Sequence, residues 1–162
     1  MDFLHQFVQQ LINGVSLGSI YALIALGYTM IYGIIKLINF AHGDIYMVGA
    51  YIGFFAITRA GLSIVPALLI SMVVTGILGM IVERLAYKPL RHAPRISVLI
   101  TAIGVSFFLE YASMYFVSPT PRTFPEVIPS VAFNVGPFIV NGQQMLIMGI
   151  TLVLMLLLTY IV

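Results

Sequence analysis

The sequence contains no cysteine. That absence excludes disulfides, a thiolate nucleophile and any cysteine-ligated metal. Charge is almost as scarce. Asp, Glu, Lys and Arg make up 7% of the 162 residues, against roughly 25% in an ordinary soluble domain. Lys and Arg are missing altogether from the first 35 positions, where Asp2 is the sole charge. A cleaved secretory leader needs a basic start, a short apolar core and a small-residue cleavage site. Here the basic start is missing and the apolar run is too long, so the opening is read as a retained helix.

Several chemistries are missing as well. There is no G-x-x-x-x-G-K-[ST] phosphate loop, no H-E-x-x-H zinc pair and no G-x-S-x-G serine elbow. An intramembrane aspartyl protease needs two aspartates sharing a proton, and Asp44 stands alone in this role. The expectation is a chain with no catalytic residue, no resident cofactor, no metal site and no nucleic-acid partner.

What is present is apolar. Hydrophobic residues account for 61% of the chain. A soluble protein of this size could not hide so much apolar surface, so its solvent is lipid. Five apolar stretches can be marked, at about Leu11–Ile35, Leu37–Ile57, Leu62–Val82, Ile96–Val117 and Met145–Val162. Roughly 20 apolar residues cross the hydrocarbon as a helix with its backbone satisfied internally. Strand-like alternation over ten residues, the mark of a membrane barrel, is absent. The fold class expected is all-α, a polytopic membrane bundle of about five transmembrane or re-entrant helices. It forms a single membrane-spanning domain over 1–162, truncated at its C-terminus because the fifth stretch ends without a polar anchor.

The second stretch is irregular. It opens on Asn39-Phe-Ala-His42-Gly43-Asp44, and the apolar part after Asp44 is short for a crossing. Either these polar groups face a cavity from within a helix, or the chain breaks and re-enters. Lipid tolerates both only where protein or water covers the backbone. A carboxylate at a helix centre costs about 2.5–3.5 kcal/mol on insertion scales, which singles out Asp44 and Glu110. Asp44 reads as an N-cap that opens a helix, as part of a polar turn on a transport path, or as both. Glu110 reads as a residue reaching water from the outer end of its helix, or as a pathway group. The candidate pathway set is Asn39, His42, Gly43, Asp44 and Glu110.

Small residues recur four apart at Gly14, Gly18 and Ala22, and again at Gly49 and Gly53. That spacing lets helix backbones approach closely, within the chain or against a partner subunit. Four of the seven Lys and Arg residues, Arg84, Lys88, Arg91 and Arg95, lie in one short segment. Such loops stay in the cytoplasm, which runs the third helix inward and the fourth outward. Glu83 and Arg84 read as an interfacial ion pair, and His5 and His92 as solvated. Lys36 then falls inside and Arg59 outside, against the charge rule. The N-terminus lies outside if the second stretch spans and inside if it re-enters. The proline-rich segment Ser118–Gln144 is expected to be an external loop with short surface helices.

The run Ser16-Leu-Gly-Ser-Ile-Tyr21-Ala-Leu-Ile-Ala-Leu-Gly27-Tyr-Thr-Met-Ile-Tyr32-Gly33 continues as Ile-Ile-Lys36-Leu-Ile-Asn39-Phe-Ala-His42-Gly43-Asp44-Ile-Tyr-Met-Val-Gly49-Ala-Tyr51. It resembles the high-affinity branched-chain amino-acid ABC transporter permeases, in particular the first of their two paired permeases. Glu83-Arg84-Leu-Ala-Tyr87-Lys88-Pro89-Leu90-Arg91, Ile100-Thr-Ala-Ile-Gly104 and Pro119-Thr-Pro-Arg122-Thr-Phe124-Pro125 extend the likeness along the whole chain. The resemblance implies a multi-pass subunit of the bacterial inner membrane that carries leucine, isoleucine and valine. It implies a periplasmic substrate-binding protein, a second permease and two ATPase subunits that use ATP, as partners. Some relatives carry urea or short amides. A stand-alone channel or secondary transporter is the other transport reading. Family permeases are nearly twice as long, and their ATPase-coupling loop lies beyond the fifth helix, where this sequence has nothing to match.

Overall fold

The computed structural model describes residues 3–36, 38–125, 132–135 and 138–161. Five helices follow one another: α1 (Phe3–Ile35), α2 (His42–Thr58), α3 (Ile64–Val82), α4 (Arg95–Val117) and α5 (Gly142–Ile161). The five apolar stretches each hold one helix. α1 begins ahead of its expected start at Leu11, because His5, Gln6, Gln9 and Gln10 interrupt the apolar run without opposing helix. The ends at Met1, Leu37 and Val162 lie outside the described residues.

Four helical segments among the described residues are long and apolar enough to cross a membrane: Gln6–Gly33, Ile64–Leu90, Arg95–Val117 and Gly142–Tyr160. α2 is not among them. Its 17 residues rise roughly 25 Å, at the short limit for a crossing.

The proline-rich segment departs from expectation. A loop was expected there, with short surface helices as one option. Instead, β1 (Ala132–Val135) and β2 (Phe138–Asn141) pair antiparallel, with Ala132 opposite Asn141 and Val135 opposite Phe138. Residues 126–131 and 136–137 of that segment lie outside the described ones. Two short runs of Phe, Val and Ile straddle Gly136-Pro137, a spacing that favours a hairpin over helix.

Contacts divide the chain into two units. The first comprises Met1–Met30 with Ile128–Val162. Within it, α1 and α5 meet through polar atoms. Gln144 Nε2 donates to Asn13 Oδ1 at 3.1 Å, and the buried Ser16 hydroxyl reaches Met148 Sδ at 3.6 Å. A methyl group added at Gly14 or Gly18 would meet nothing within 4 Å, so the small-residue face of α1 is not the one that packs against α5.

The second unit is Ile31–Val127. Here the small-residue pattern does pack. A Cβ at Gly49 would lie 2.7 Å from Thr75 Cγ2 on α3, and the Ser71 hydroxyl donates to the Gly49 carbonyl at 2.6 Å. Gly53 faces Ser71 more loosely, at 4.0 Å. Removing the side chain at Gly49 lets α2 and α3 approach until a hydroxyl bonds a helical carbonyl directly, which is how apolar helices gain contact in lipid. Among the described residues, the buried hydrophobic ones are Ala41, Ala67, Val82, Val98, Ala102 and Leu109. Most are small, and many large side chains are exposed, with Phe116 82% and Tyr115 84% exposed.

Candidate functional site

The break between α1 and α2 is built from side chains and backbone together. Lys36 adopts a left-handed conformation (φ 58°), which stops α1 while its amide still donates to Tyr32 O at 2.8 Å. Asn39 then folds the chain back. Its Oδ1 accepts the Ala41 amide at 3.1 Å, and its carbonyl accepts the His42 amide at 3.2 Å. This is an Asx turn, which asparagine forms readily and which competes with continued helix. Ala41 at its apex is fully buried.

Asn39 Oδ1 has a second donor, the Tyr87 hydroxyl at 2.7 Å. Tyr87 closes a π-helical turn, Glu83–Tyr87, that prolongs α3 before a 3-10 turn at Lys88–Leu90. Pro89 explains the widening. It has no amide to donate, and its ring would clash with the Leu85 carbonyl in a regular helix. The Lys88 amide bonds instead to Glu83 O, five residues back. Such insertions occur often at functional sites.

One reading of Asp44 was a cap on the helix that follows. The helix starts two residues earlier, at His42, and shows no side-chain cap. Asp44 lies in the first turn and accepts a short hydrogen bond from the Ser106 hydroxyl of α4. Ser106 is the middle residue of α4 (Arg95–Val117), so α2 begins at the mid-length of a segment long enough to cross the membrane. Among the described residues, the Gly43 and Asp44 amides have no acceptor, as is normal for a helix start.

Below this turn lies a cavity of about 310 Å³, within the range of small-molecule sites. Its apolar wall is Ile31, Ile38, Ile45, Val82 and Val98, with Gly79 in the floor. Asn39, His42, Thr75, Glu83 and Tyr87 supply its polar atoms. Asn39 and His42 are thus brought to one cavity, with Gly43 beside them. Asp44 turns to α4, and Glu110 lies one turn beyond Ser106, half-buried, lining no part of the cavity. Thr75, Glu83 and Tyr87 were not singled out as site residues. The signal for Tyr87 was its place just before Lys88-Pro89.

The basic segment forms the far end of the α3 extension, and Arg84, Lys88, Arg91 and Arg95 are all exposed. The expected Glu83–Arg84 pair is replaced: Arg91 Nη2 meets Glu83 Oε1 at 2.5 Å. Residues 83 and 84 leave the helix in different directions, whereas the turns at 83–90 fold Arg91 back. His92 is exposed, and the side chain of His5 lies outside the described ones.

A family model described as "Branched-chain amino acid transport system / permease component" matches residues 10–162. This chain belongs to that permease family. It is 44% identical to the high-affinity branched-chain amino acid transport system permease protein BraD of Pseudomonas aeruginosa, over 96% of this chain and 54% of that protein. It is 43% identical to the permease protein LivH of Escherichia coli and 42% identical to that of Salmonella typhimurium, in each case over 85% of this chain and 46% of the relative. The chain spans about half the length of the curated relatives it matches. No solved structure matches it. Family membership and four membrane-length helices together make this permease chain a multi-pass protein of the bacterial inner membrane.

Proposed function

We propose that this chain forms part of the translocation pathway of a binding-protein-dependent ABC importer for branched-chain amino acids. The observation that carries the reading is the broken start of α2. It sets a polar turn against an aliphatic cavity, beside unpaired amides and an aspartate that meets the middle of a spanning helix. The positive end of α2 and the Gly43 and Asp44 amides suit a substrate carboxylate. The walls of Ile31, Ile38, Ile45, Val82 and Val98 suit a leucine, isoleucine or valine side chain. Asn39, His42 and Asp44 border the polar path, and Glu110 lies further along it. The names of BraD and LivH, high-affinity branched-chain amino acid transport permeases, support this substrate class.

No chemistry is done on the substrate. A second permease completes the pathway, and a periplasmic substrate-binding protein delivers the amino acid. ATP binding and hydrolysis in two ATPase subunits alternate the side that is open. A urea or short-amide permease of the same family is disfavoured by the aliphatic wall, which those ligands could not use. A stand-alone channel or secondary transporter differs in its energy source.

The test is leucine uptake into vesicles bearing the assembled transporter and loaded with binding protein. Asp44→Asn at normal expression should cut uptake at least about tenfold, the equivalent of one hydrogen bond to a charged group. Normal uptake would remove Asp44 from any essential role. Uptake that survives loss of the ATPase partners would sink the ABC reading, and competition by urea in place of valine would change the substrate.

A further inference from the structure

The opposite end of α2 carries a different arrangement. Arg59 and Arg122, the one just after α2 and the other just after α4, both stack on Phe55, with guanidinium carbons 5.4 and 5.7 Å from its ring centre. Arg122 also sits 5.9 Å from the Phe54 ring, which Phe124 meets edge-on at 6.0 Å. Arg122 uses one donor on the Val117 carbonyl at 2.9 Å. Neither guanidinium meets a carboxylate among the described residues. Each guanidinium carries five N–H donors, so nearly all of them remain available to an anion.

Phe55 also lines a groove of about 260 Å³ between α2, α3 and α4. Phe116 borders it at the arginine end, and Tyr51, Ala112, Leu109 and Val48 continue it away from the arginines. From Phe55 to Val48 the groove follows roughly 10 Å of helix rise. Two cations at the mouth of an apolar slot, at the end of membrane-spanning helices, match one chemistry: a phosphate joined to a hydrocarbon chain. Both arginines lie at the end of the bundle remote from Arg84, Lys88, Arg91 and Arg95, so the charge rule for cytoplasmic loops does not account for them. Aromatic stacking holds each planar guanidinium in place before a ligand arrives.

We infer that Arg59, Arg122 and the groove behind Phe55 form a binding site for one anionic glycerophospholipid, its phosphate on the two guanidiniums and an acyl chain along Tyr51, Ala112 and Leu109. The site does not depend on the transported substrate. Membrane-surface arginines favour anionic lipid enough that two of them give roughly a 30-fold preference over a zwitterionic lipid.

The full chain, delipidated in neutral detergent, is titrated with dioleoyl phosphatidylglycerol or dioleoyl phosphatidylcholine, and bound lipid is counted by native mass spectrometry. Wild type should retain phosphatidylglycerol about 30-fold better. R59Q/R122Q should level the two lipids, R59K/R122K should keep much of the preference, and A112F should lose both lipids. Equal retention by wild type, a preference that survives R59Q/R122Q, or unchanged binding in A112F would each overturn the site. Displacement of phosphatidylglycerol by equimolar inorganic phosphate would make it a simple anion site and overturn it too. If R59Q/R122Q fails to fold, the wild-type and A112F arms still decide the matter.

Discussion

The two ends of α2 solve opposite problems. At its start, Asp44 takes the Ser106 hydroxyl at the mid-length of α4, and Asn39 takes the Tyr87 hydroxyl from the extension of α3. At its end, Arg59 and Arg122 are exposed and, among the described residues, held by aromatic rings rather than by counter-ions. Deep in the membrane a polar group needs a partner from the chain. At the rim it can leave its donors for something outside. One helix of 17 residues therefore carries a protein-satisfied site and a lipid-facing site, separated by the tight contact at Gly49.

The comparison can be broken most severely at that contact. Gly49→Leu forces side-chain atoms into Thr75, where a Cβ would already lie at 2.7 Å. Overpacking of this kind costs about 1–3 kcal/mol. Thermal unfolding in nanodiscs should show a lower midpoint, with both leucine uptake and lipid retention impaired together. Ser106→Ala acts at the start alone. It removes the hydroxyl that Asp44 accepts, and a half-buried carboxylate left without its donor should cost about 1–3 kcal/mol, toward the lower part of that range. Uptake should fall while lipid retention stays unchanged, and a variant that loses both would mean the two ends are coupled.

Tyr87→Phe is milder. Asn39 Oδ1 keeps the Ala41 amide and loses one hydroxyl donor, at about 0.5–1.5 kcal/mol. Hydrogen exchange at Ala41 and His42 should quicken while exchange across Thr58–Arg59 does not. The smallest effect is expected from Arg91→Gln. The Glu83–Arg91 pair is well exposed, 62% at the arginine and 35% at the glutamate, and such pairs contribute about 0–1 kcal/mol. A midpoint shift that vanishes at high salt is the expected outcome.

Much of this architecture is legible in the sequence because lipid makes the rule simple. Long apolar runs become helices, and the run broken by Asn39–Asp44 becomes the short one. The likeness along Ser16–Tyr51 pointed to the permease family, which the match over residues 10–162 shows. What sequence could not locate are the long-range pairings. Nothing near Asp44 announces Ser106, 62 positions on, and Pro89 forecasts a disturbed helix end without saying that Tyr87 will reach Asn39. The Gly-x-x-x-Gly spacing is equally ambiguous. Gly49 packs on α3, while Gly14 and Gly18 leave open space, since the same spacing serves contacts inside a chain and contacts with another. In the segment that pairs Ala132–Val135 with Phe138–Asn141, the prolines signal a loop while the Phe, Val and Ile runs beside them carry the strand signal.

The thin interior inverts the usual map of mutational sensitivity. In a water-soluble protein, truncating a large apolar side chain is the damaging change. Here Leu68 and Leu152 are 59% and 56% exposed, and lipid tails, as apolar as leucine, can fill the space that a shortened side chain leaves. The intolerant positions are the smallest ones. Ala41, Ala67 and Ala102, each buried to within 1% of completely, occupy space that no larger side chain can share. A survey of this chain by enlargement, rather than by truncation, would trace its structural skeleton.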